Sequence, residues 1–273
     1  MCLLPLIALA VIAQAASVIA NNPKRGLAYP NERDHLQDIA RAYGTSVSWT
    51  YNWGVNSMVS IPSSSGITHV PMQWGVQGAE GFFAQVVGGG YQTVLAFNEP
   101  DLPSQSNVSP DQAVRTWKEH IQPLKQKGVR LGSPGISSAP SGKSWLKEFL
   151  DKCHDCNVDF IAVHWYGEGG QNFINYLSDI HAAFQRFPVW VTEFGCTSGN
   201  DNGEPEHGFR KARVLMPLSD VQTFLRETIG FMDSTGWVEK YAWFAFDRYT
   251  AGLRTNLLDG NGNLNTLGRM YVG

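Results

Sequence analysis

Two glutamates stand where apolar segments run out. Glu99 closes "VLAFNEPDL" (residues 94–102), and Glu193 lies in "PVWVTEFG" (residues 188–195). Short apolar runs containing β-branched and aromatic residues read as strands buried on both faces, and the first is bounded by Gly88-Gly89-Gly90 before it and Pro103 after it. A carboxyl group carried out of a core strand is either a salt-bridged structural acid or a reacting one, and Glu99 alone leaves both open. Two such carboxyls at one site have a defined chemistry. One protonates a glycosidic oxygen while the other attacks the anomeric carbon. That division of labour requires one group to stay protonated and the other ionised near the working pH.

Bringing residues 99 and 193 together needs strands that end on a common rim. Eight segments read as strands: "RGLAYP", "TSVSWTYNW", "THVPMQW", "TVLAFNEPD", "VRLGSPGIS", "DFIAVHWYG", "PVWVTEFG" and "EKYAWFAFD". Helical patterns or loops separate them. Ser109-Pro110-Asp111 supplies a cap, a first-turn proline and an acid ahead of Ala113, Trp117, Ile121 and Leu124, with Pro123 expected to kink the end. Phe173, Leu177, Ile180 and Phe184 repeat one helical face, as do Val221, Phe224, Leu225, Thr228 and Phe231 after a capping box of Ser219 and Gln222. Strands alternating with helices in this number predict an α/β fold, a (β/α)8 TIM barrel. The stretch from Gly54 to Gly66 is too polar and serine-rich for a normal helix, so a reduced helix set is expected.

In such a barrel the chemistry sits at the C-terminal strand ends. Those ends carry Tyr51-Asn52-Trp53, Gln73-Trp74, Asn98-Glu99, His164-Trp165-Tyr166, Glu193 and Trp243 through Asp247, whereas the N-terminal ends show no such cluster. Asn52, Gln73 and Asn98 are candidate sugar contacts. Trp53, Trp74 and Trp243 are candidate stacking platforms, since an aromatic face suits a sugar face, although each could equally close the barrel top. His164 and Tyr166 alternate on one side of their strand, which points both inward where either could orient Glu193. The competing reading of His164 is a neutral core histidine bonded to a carbonyl. Asp101, Glu168 and Asp247 lie beyond the strand ends and read as solvated or structural acids.

The chain has 273 residues, 43% of them hydrophobic, a formal net charge of -3 and seven scattered histidines. Nothing there favours nucleic acid or an anionic membrane as partner, and a neutral substrate fits better. Residues 1–20, "MCLLPLIALAVIAQAASVIA", carry no side-chain charge and stop at small residues, as a secretory signal peptide does, although no Lys or Arg precedes the run. It is short for a membrane span. One domain is expected from residue 21 to 273, with no linker or repeat, and export predicts a secreted, monomeric protein of the extracellular space or cell wall. Asn107-Val108-Ser109 is a glycosylation sequon, followed directly by Pro110. With Cys2 in the leader, three cysteines remain. Cys153 and Cys156 precede a strand at the barrel bottom, whereas Cys196 follows Glu193 at the top, so a local Cys153–Cys156 disulfide and a free Cys196 are expected. Cys153-His154-Asp155-Cys156 also has the spacing of half a zinc knuckle without its other half. No His-Glu-x-x-His, phosphate loop or Gly-x-Ser-x-Gly elbow occurs, and neither metal nor cofactor is expected.

"LAFNEPD", "FIAVHWYG" and "VWVTEFG", in that order, resemble glycoside hydrolase family 128, fungal-type secreted β-1,3-glucanases of clan A with a (β/α)8 fold. The similarity runs from about Arg25 to the C-terminus and includes "YAWFAFDR" and "LLDGNGNLNTLG". Asn-Glu at the fourth strand is shared by many clan A families. The His-Trp-Tyr and Thr-Glu-Phe-Gly segments narrow the choice. The resemblance implies that Glu99 is the general acid/base and Glu193 the nucleophile of a retaining, endo-acting β-1,3-glucanase. Asn98 would then bond the 2-hydroxyl of the sugar at the cleavage point, its alternative being a turn-forming Asn before proline. Other clan A specificities, on β-1,4-glucan or mannan, would keep both glutamates. A non-catalytic glucan-binding protein of the cell wall is the reading from a different class.

Overall fold

The computed structural model describes residues 22–30, 33–198, 215–250 and 252–273. The expected leader at residues 1–20 lies outside them. Nine short strands are all parallel: β1 (Arg25–Ala28), β2 (Trp49–Tyr51), β3 (Thr68–His69), β4 (Met72–Gln73), β5 (Thr93–Asn98), β6 (Arg130–Gly135), β7 (Ile161–Gly167), β8 (Val189–Cys196) and β9 (Val238–Phe244). β3 and β4 are two halves of one strand, interrupted at Val70-Pro71, because proline has no N–H to give to a ladder. Eight strand positions result, the eight expected.

Six strands run in the order β3-β2-β1-β9-β8-β7 and three in the order β4-β5-β6. Hydrogen bonds cross both seams. Val70 N donates to Thr50 O at 2.8 Å and Leu95 N to Pro71 O at 2.8 Å, while Ser133 N reaches Phe160 O at 2.9 Å and His164 N reaches Ile136 O at 2.8 Å. Every residue of β8 is buried, and every residue of β7 except the half-buried Tyr166. Strands covered on both faces have no polar alternation to show, which is why they appear in the sequence as continuous apolar runs.

The interior is filled by rings. Trp190 stacks on Phe160 with centroids 4.0 Å apart and leans on Trp49 at 5.2 Å. Two glycines make this possible: a Cβ on Gly26 would stand 2.1 Å from the Trp49 ring, and one on Gly132 would stand 2.5 Å from Phe160. Below the rings Arg130 meets Glu239 through two bonds of 2.7 and 2.8 Å, and Trp190 Nε1 adds a third to that carboxylate at 3.0 Å. A second ionic group lies nearby, where Arg25 donates to Tyr241 Oη, Tyr271 O and Asp233 Oδ2 at 2.7–2.9 Å. The first cluster joins β6 and β8 to β9, and the second ties the first and last strands to the C-terminal helix.

Outside run α1 (Ala79–Gly88), α2 (Pro110–Thr116), α3 (Pro140–Lys152), α4 (Gly170–Ala183), α5 (Leu218–Ser234) and α6 (Thr266–Val272). The first crossover holds a 3-10 segment, Arg33–Ala42, and the second only a three-residue turn at Ser63–Ser65, so the helix set is reduced where the serine-rich stretch lies. Ser109 caps α2, its Oγ accepting from Gln112 N at 3.3 Å. The helix loosens into a π turn at Trp117–Ile121 and a 3-10 turn at Gln122–Lys127, since Pro123 removes one helical donor. The capping box expected at Ser219 and Gln222 does not form. Here α5 starts two residues earlier, after Pro217, and Ser219 Oγ turns to Asp220 Oδ1 at 3.1 Å. Among the described residues no helix is long and apolar enough to cross a membrane.

Cys153, just past α3, is bonded to Cys156 with Cα atoms 5.1 Å apart, and Cys196 is a buried free thiol at the end of β8. With both sulfurs in a disulfide, the half zinc knuckle has no thiolate to offer.

Candidate active site

Glu99 follows the last residue of β5 with φ of 43°, a left-handed backbone that an L-residue adopts only at a cost of about 1–3 kcal/mol. The turn is clamped to hold it. Glu99 N donates to Gly135 O at 2.8 Å, Leu102 N to Glu99 O at 3.1 Å, and Asp101 accepts from Ser137 N at 3.0 Å, from Ser137 Oγ and from Ser141 Oγ. Asp101 is thus structural, one of its two expected readings. Its three bonds fasten the Asn-Glu-Pro-Asp turn to the loop after β6 and to the first turn of α3.

Glu193 projects from the middle of β8 and meets three donors. Tyr166 Oη donates to Oε2 at 2.6 Å, and Trp53 Nε1 donates to Oε1 at 2.7 Å. Tyr51 Oη lies 3.2 Å from Oε1 and shares its proton with Thr192 O at 2.9 Å. Between the two glutamates stands His164, with Nδ1 2.9 Å from Glu99 Oε1 and Nε2 3.5 Å from Glu193 Oε1. The residues are 8%, 6% and 0% exposed for Glu99, Glu193 and His164, and one oxygen of each carboxyl and an imidazole nitrogen all lie within 4.8 Å of one another.

Burial pushes the Glu99 carboxyl above the ordinary carboxylate range, with His164 pulling against it and the charge of Glu193 adding to it. Burial also works against a charged His164, but the two neighbouring carboxylates outweigh it and hold the imidazole's pKa up. Tyr51 and Tyr166 are raised by burial and then by Glu193, so both hydroxyls keep the protons they donate. The site therefore contains one carboxyl biased toward protonation beside one with three hydrogen-bond donors. A metal reading of the trio fails on direction: opposite nitrogens of the ring face the two carboxyls, so the three side chains do not converge on one point.

Asn98 is 4% exposed. Its Nδ2 donates to Gln105 Oε1 at 3.2 Å, and its Oδ1 is buried with no partner among the described residues. Trp53, expected as a stacking platform, is also a donor to Glu193 through its edge, with its backbone at φ of 60°. Trp74, just past β4, is 41% exposed. Trp243 is fully buried and so presents no face to a sugar: it packs edge-on to Phe194 at 5.1 Å, and its Nε1 donates to Thr255 O at 2.6 Å. Asn52 and Gln73 spend their amides on loops. Asn52 bridges Gly54 N and Asn56 O, and Gln73 Nε2 donates to Gly75 O and Gln77 O. Neither is brought to the carboxyl pair by a hydrogen bond. Tyr51 was visible at a strand end but given no role; Trp49-Thr50-Tyr51 alternate, and the inward side of Trp49 is also that of Tyr51, which could have found it. Asn107 is exposed in its loop, with φ of 47°.

An eight-position parallel barrel with two close, buried carboxyls at its C-terminal rim is the architecture of a glycoside hydrolase, and comparison with known proteins agrees. A family model described as glycosyl hydrolase catalytic core matches residues 26–271. A curdlan-specific exo-β-1,3-glucanase of family 128 (subgroup III) from Blastomyces gilchristii is 33% identical, with a TM-score of 0.74 over 92% of this chain and 99% of the other. A subgroup II endo-β-1,3-glucanase from Sorangium cellulosum is 28% identical, with a TM-score of 0.74 over 92% and 98%. Among curated proteins, Alkali-sensitive linkage protein 1 of Schizosaccharomyces pombe is 34% identical over 255 residues, which are 91% of this chain and 44% of that protein. The chain spans less than half the length of that relative. It belongs to the glycosyl hydrolase catalytic-core family, in the branch classed as glycoside hydrolase family 128.

Proposed function

We propose that the protein is a secreted retaining β-1,3-glucanase in which Glu99 is the general acid/base and Glu193 the nucleophile. The observation that carries this reading is the closeness of the two carboxyls, within 4.8 Å oxygen to oxygen across His164. Retaining enzymes place them about 5–5.5 Å apart, whereas inverting enzymes leave about 6.5–9.5 Å for a water. The two environments divide the roles. Three donors hold the Glu193 carboxyl in place to attack the anomeric carbon, and the Glu99 carboxyl, raised by burial, holds a proton for the leaving oxygen. The orphaned Oδ1 of Asn98 suits a sugar hydroxyl. The substrate class comes from the similar proteins described as β-1,3-glucanases. Secretion is supported by the Cys153–Cys156 disulfide, a bond of oxidising compartments.

The test is a proton NMR time course on linear β-1,3-glucan, with β-configured product expected first. An α-configured initial product would overturn the retaining assignment. Internal cleavage, the expected mode, gives a ladder of oligosaccharides, and terminal cleavage gives one short product from the outset. Binding to glucan with no release of reducing sugar would leave a carbohydrate-binding barrel instead.

A further inference from the structure

His164 occupies a place that neither a core histidine nor a simple nucleophile-orienting residue requires. The ring is fully buried, Nδ1 is hydrogen-bonded to Glu99 Oε1 at 2.9 Å, and Nε2 faces Glu193 Oε1 at 3.5 Å with no hydrogen bond of its own among the described residues. Gly135 of β6 lies against Nε2 and brings no side chain there. The other ionisable groups around the trio are the carboxylate of Asp101, beyond Glu99, the buried hydroxyl of Tyr176 on α4, which feels the charges of Asp101 and Glu99, and the hydroxyls of Tyr51 and Tyr166, against Glu193. Among the described residues no lysine or arginine pairs with either carboxyl, so the imidazole is the one cation available to them.

Counting protons shows what that arrangement permits. With one negative charge overall, the trio has two arrangements of the same protons. In one, an imidazolium lies between two carboxylates. In the other, Glu99 is a carboxylic acid donating to Nδ1, the ring is neutral with its proton on Nε2, and Glu193 remains ionised. The two differ only in where one proton sits along the 2.9 Å bond between Nδ1 and Oε1. Nε2–H faces Glu193 in both.

We propose that the proton delivered to the glycosidic oxygen is held jointly by Glu99 and His164, with His164 as the positioning residue that keeps it within the pair. This rests on the assignment of Glu99 as acid/base. In the first step the pair gives up its proton through Glu99 to the leaving oxygen as the bond from that oxygen to the anomeric carbon breaks and Glu193 forms an ester to the same carbon. In the second step water attacks that carbon, its proton returns to the pair, and the ester bond breaks to restore the Glu193 carboxylate. The alkaline limb of kcat/KM then reports one macroscopic titration of the pair, belonging to neither residue alone.

The experiment follows the two ring nitrogens of His164 by ¹⁵N NMR in the substrate-free protein across the pH range of the kcat/KM profile, with His164→Asn and His164→Gln measured beside it. Nδ1 is expected to titrate with the same midpoint as the alkaline limb while Nε2 stays protonated below it. Removing the ring leaves Glu99 as the sole site for the proton, so the limb should move to lower pH in the variants by about one unit, a tenfold loss of activity on the alkaline side. A ring that does not change state across the limb overturns the proposal, and the NMR arm reads this even where a variant fails to fold. So does a limb that stays in place, as for a neutral filler, or that moves up, as when a permanent cation is removed. The titration is read without substrate, so its failure is distinguishable from failure of the retaining assignment, which shows in the product configuration.

Discussion

At the N-terminal end of the strands Arg130 and Glu239 meet through two parallel hydrogen bonds, and Arg25 is surrounded by Asp233, Tyr241 and the carbonyl of Tyr271. At the C-terminal end Glu99 and Glu193 share a single imidazole. Both ends hold partly or fully buried charge, yet the lower one pairs each carboxylate with a guanidinium and the upper one crowds two acids around one titratable base. Paired charge resists titration and locks geometry. Crowded like charge makes proton affinity depend on the neighbour's state, which is what an acid/base step needs. The same barrel thus keeps paired charge at one end and crowded, mutually dependent charge at the other.

Breaking that contrast at the upper end should produce the largest effect. Glu193→Gln should lower turnover of linear β-1,3-glucan by about 10⁴-fold or more, measured as reducing-sugar release, while the melting temperature stays level or rises because a like charge is gone. A loss of stability matching the loss of activity would contradict the division. At the lower end Arg25→Met should do the reverse. It removes three charge-assisted hydrogen bonds, to Tyr241 Oη, Tyr271 O and Asp233, although Asp233 keeps Asn22 Nδ2 and Tyr241 Oη as donors, and should cost about 3 kcal/mol in denaturant unfolding, with kcat per folded molecule unchanged.

The helix-poor side of the barrel offers a sharper case. His69 at the end of β3 is 9% exposed, its Nε2 lies 3.2 Å from Val55 O across the helix-less crossover, and burial pushes its pKa down to about 4. Between that value and the unfolded value near 6.5 the unfolded chain binds more protons, so stability falls as pH drops through this window and levels off below about 4. Going from pH 7.5 to 5 should cost about 2 kcal/mol from this group, and His69→Gln should flatten that part of the curve. An unchanged slope would show that the acid sensitivity arises elsewhere. The smallest effect belongs to the Cys153–Cys156 bond, which closes only a short loop: reduction or Cys→Ser at both positions should cost about 1–2 kcal/mol and leave activity intact, measured by unfolding with and without reductant.

Much of the site was legible because ionisable groups stand out in covered strands. Glu99 lies just past β5 and Tyr166 near the end of β7, while His164 and Glu193 stand mid-strand, each interrupting an apolar run that is buried on both faces. Trp53, Trp74 and Trp243 show where that reasoning fails. A tryptophan at a strand end can present its face, its edge or nothing, and the choice depends on neighbours distant in sequence. Trp243 is buried by Phe194 and Phe224, Trp53 turns its N–H to Glu193, and Trp74 remains exposed. The capping box at Ser219 failed for a local reason, since Pro217 already takes the N-cap position, with φ of -53° and ψ of 138°, and Ser219 falls inside the helix.

From the order of residues alone came the eight strand positions, the weak second crossover, the pair of glutamates and the pairing of Cys153 with Cys156. These follow from periodicity, chain-breaking residues and short-range spacing, which are properties of neighbours along the chain. Which carboxyl gains three donors, that both lose their water, and that one imidazole touches both, were decided only when strands β2, β5, β7 and β8 closed on each other. Proton affinity depends on burial and on charges within a few ångströms, and residues 51, 99, 164 and 193 acquire those neighbours through tertiary contact.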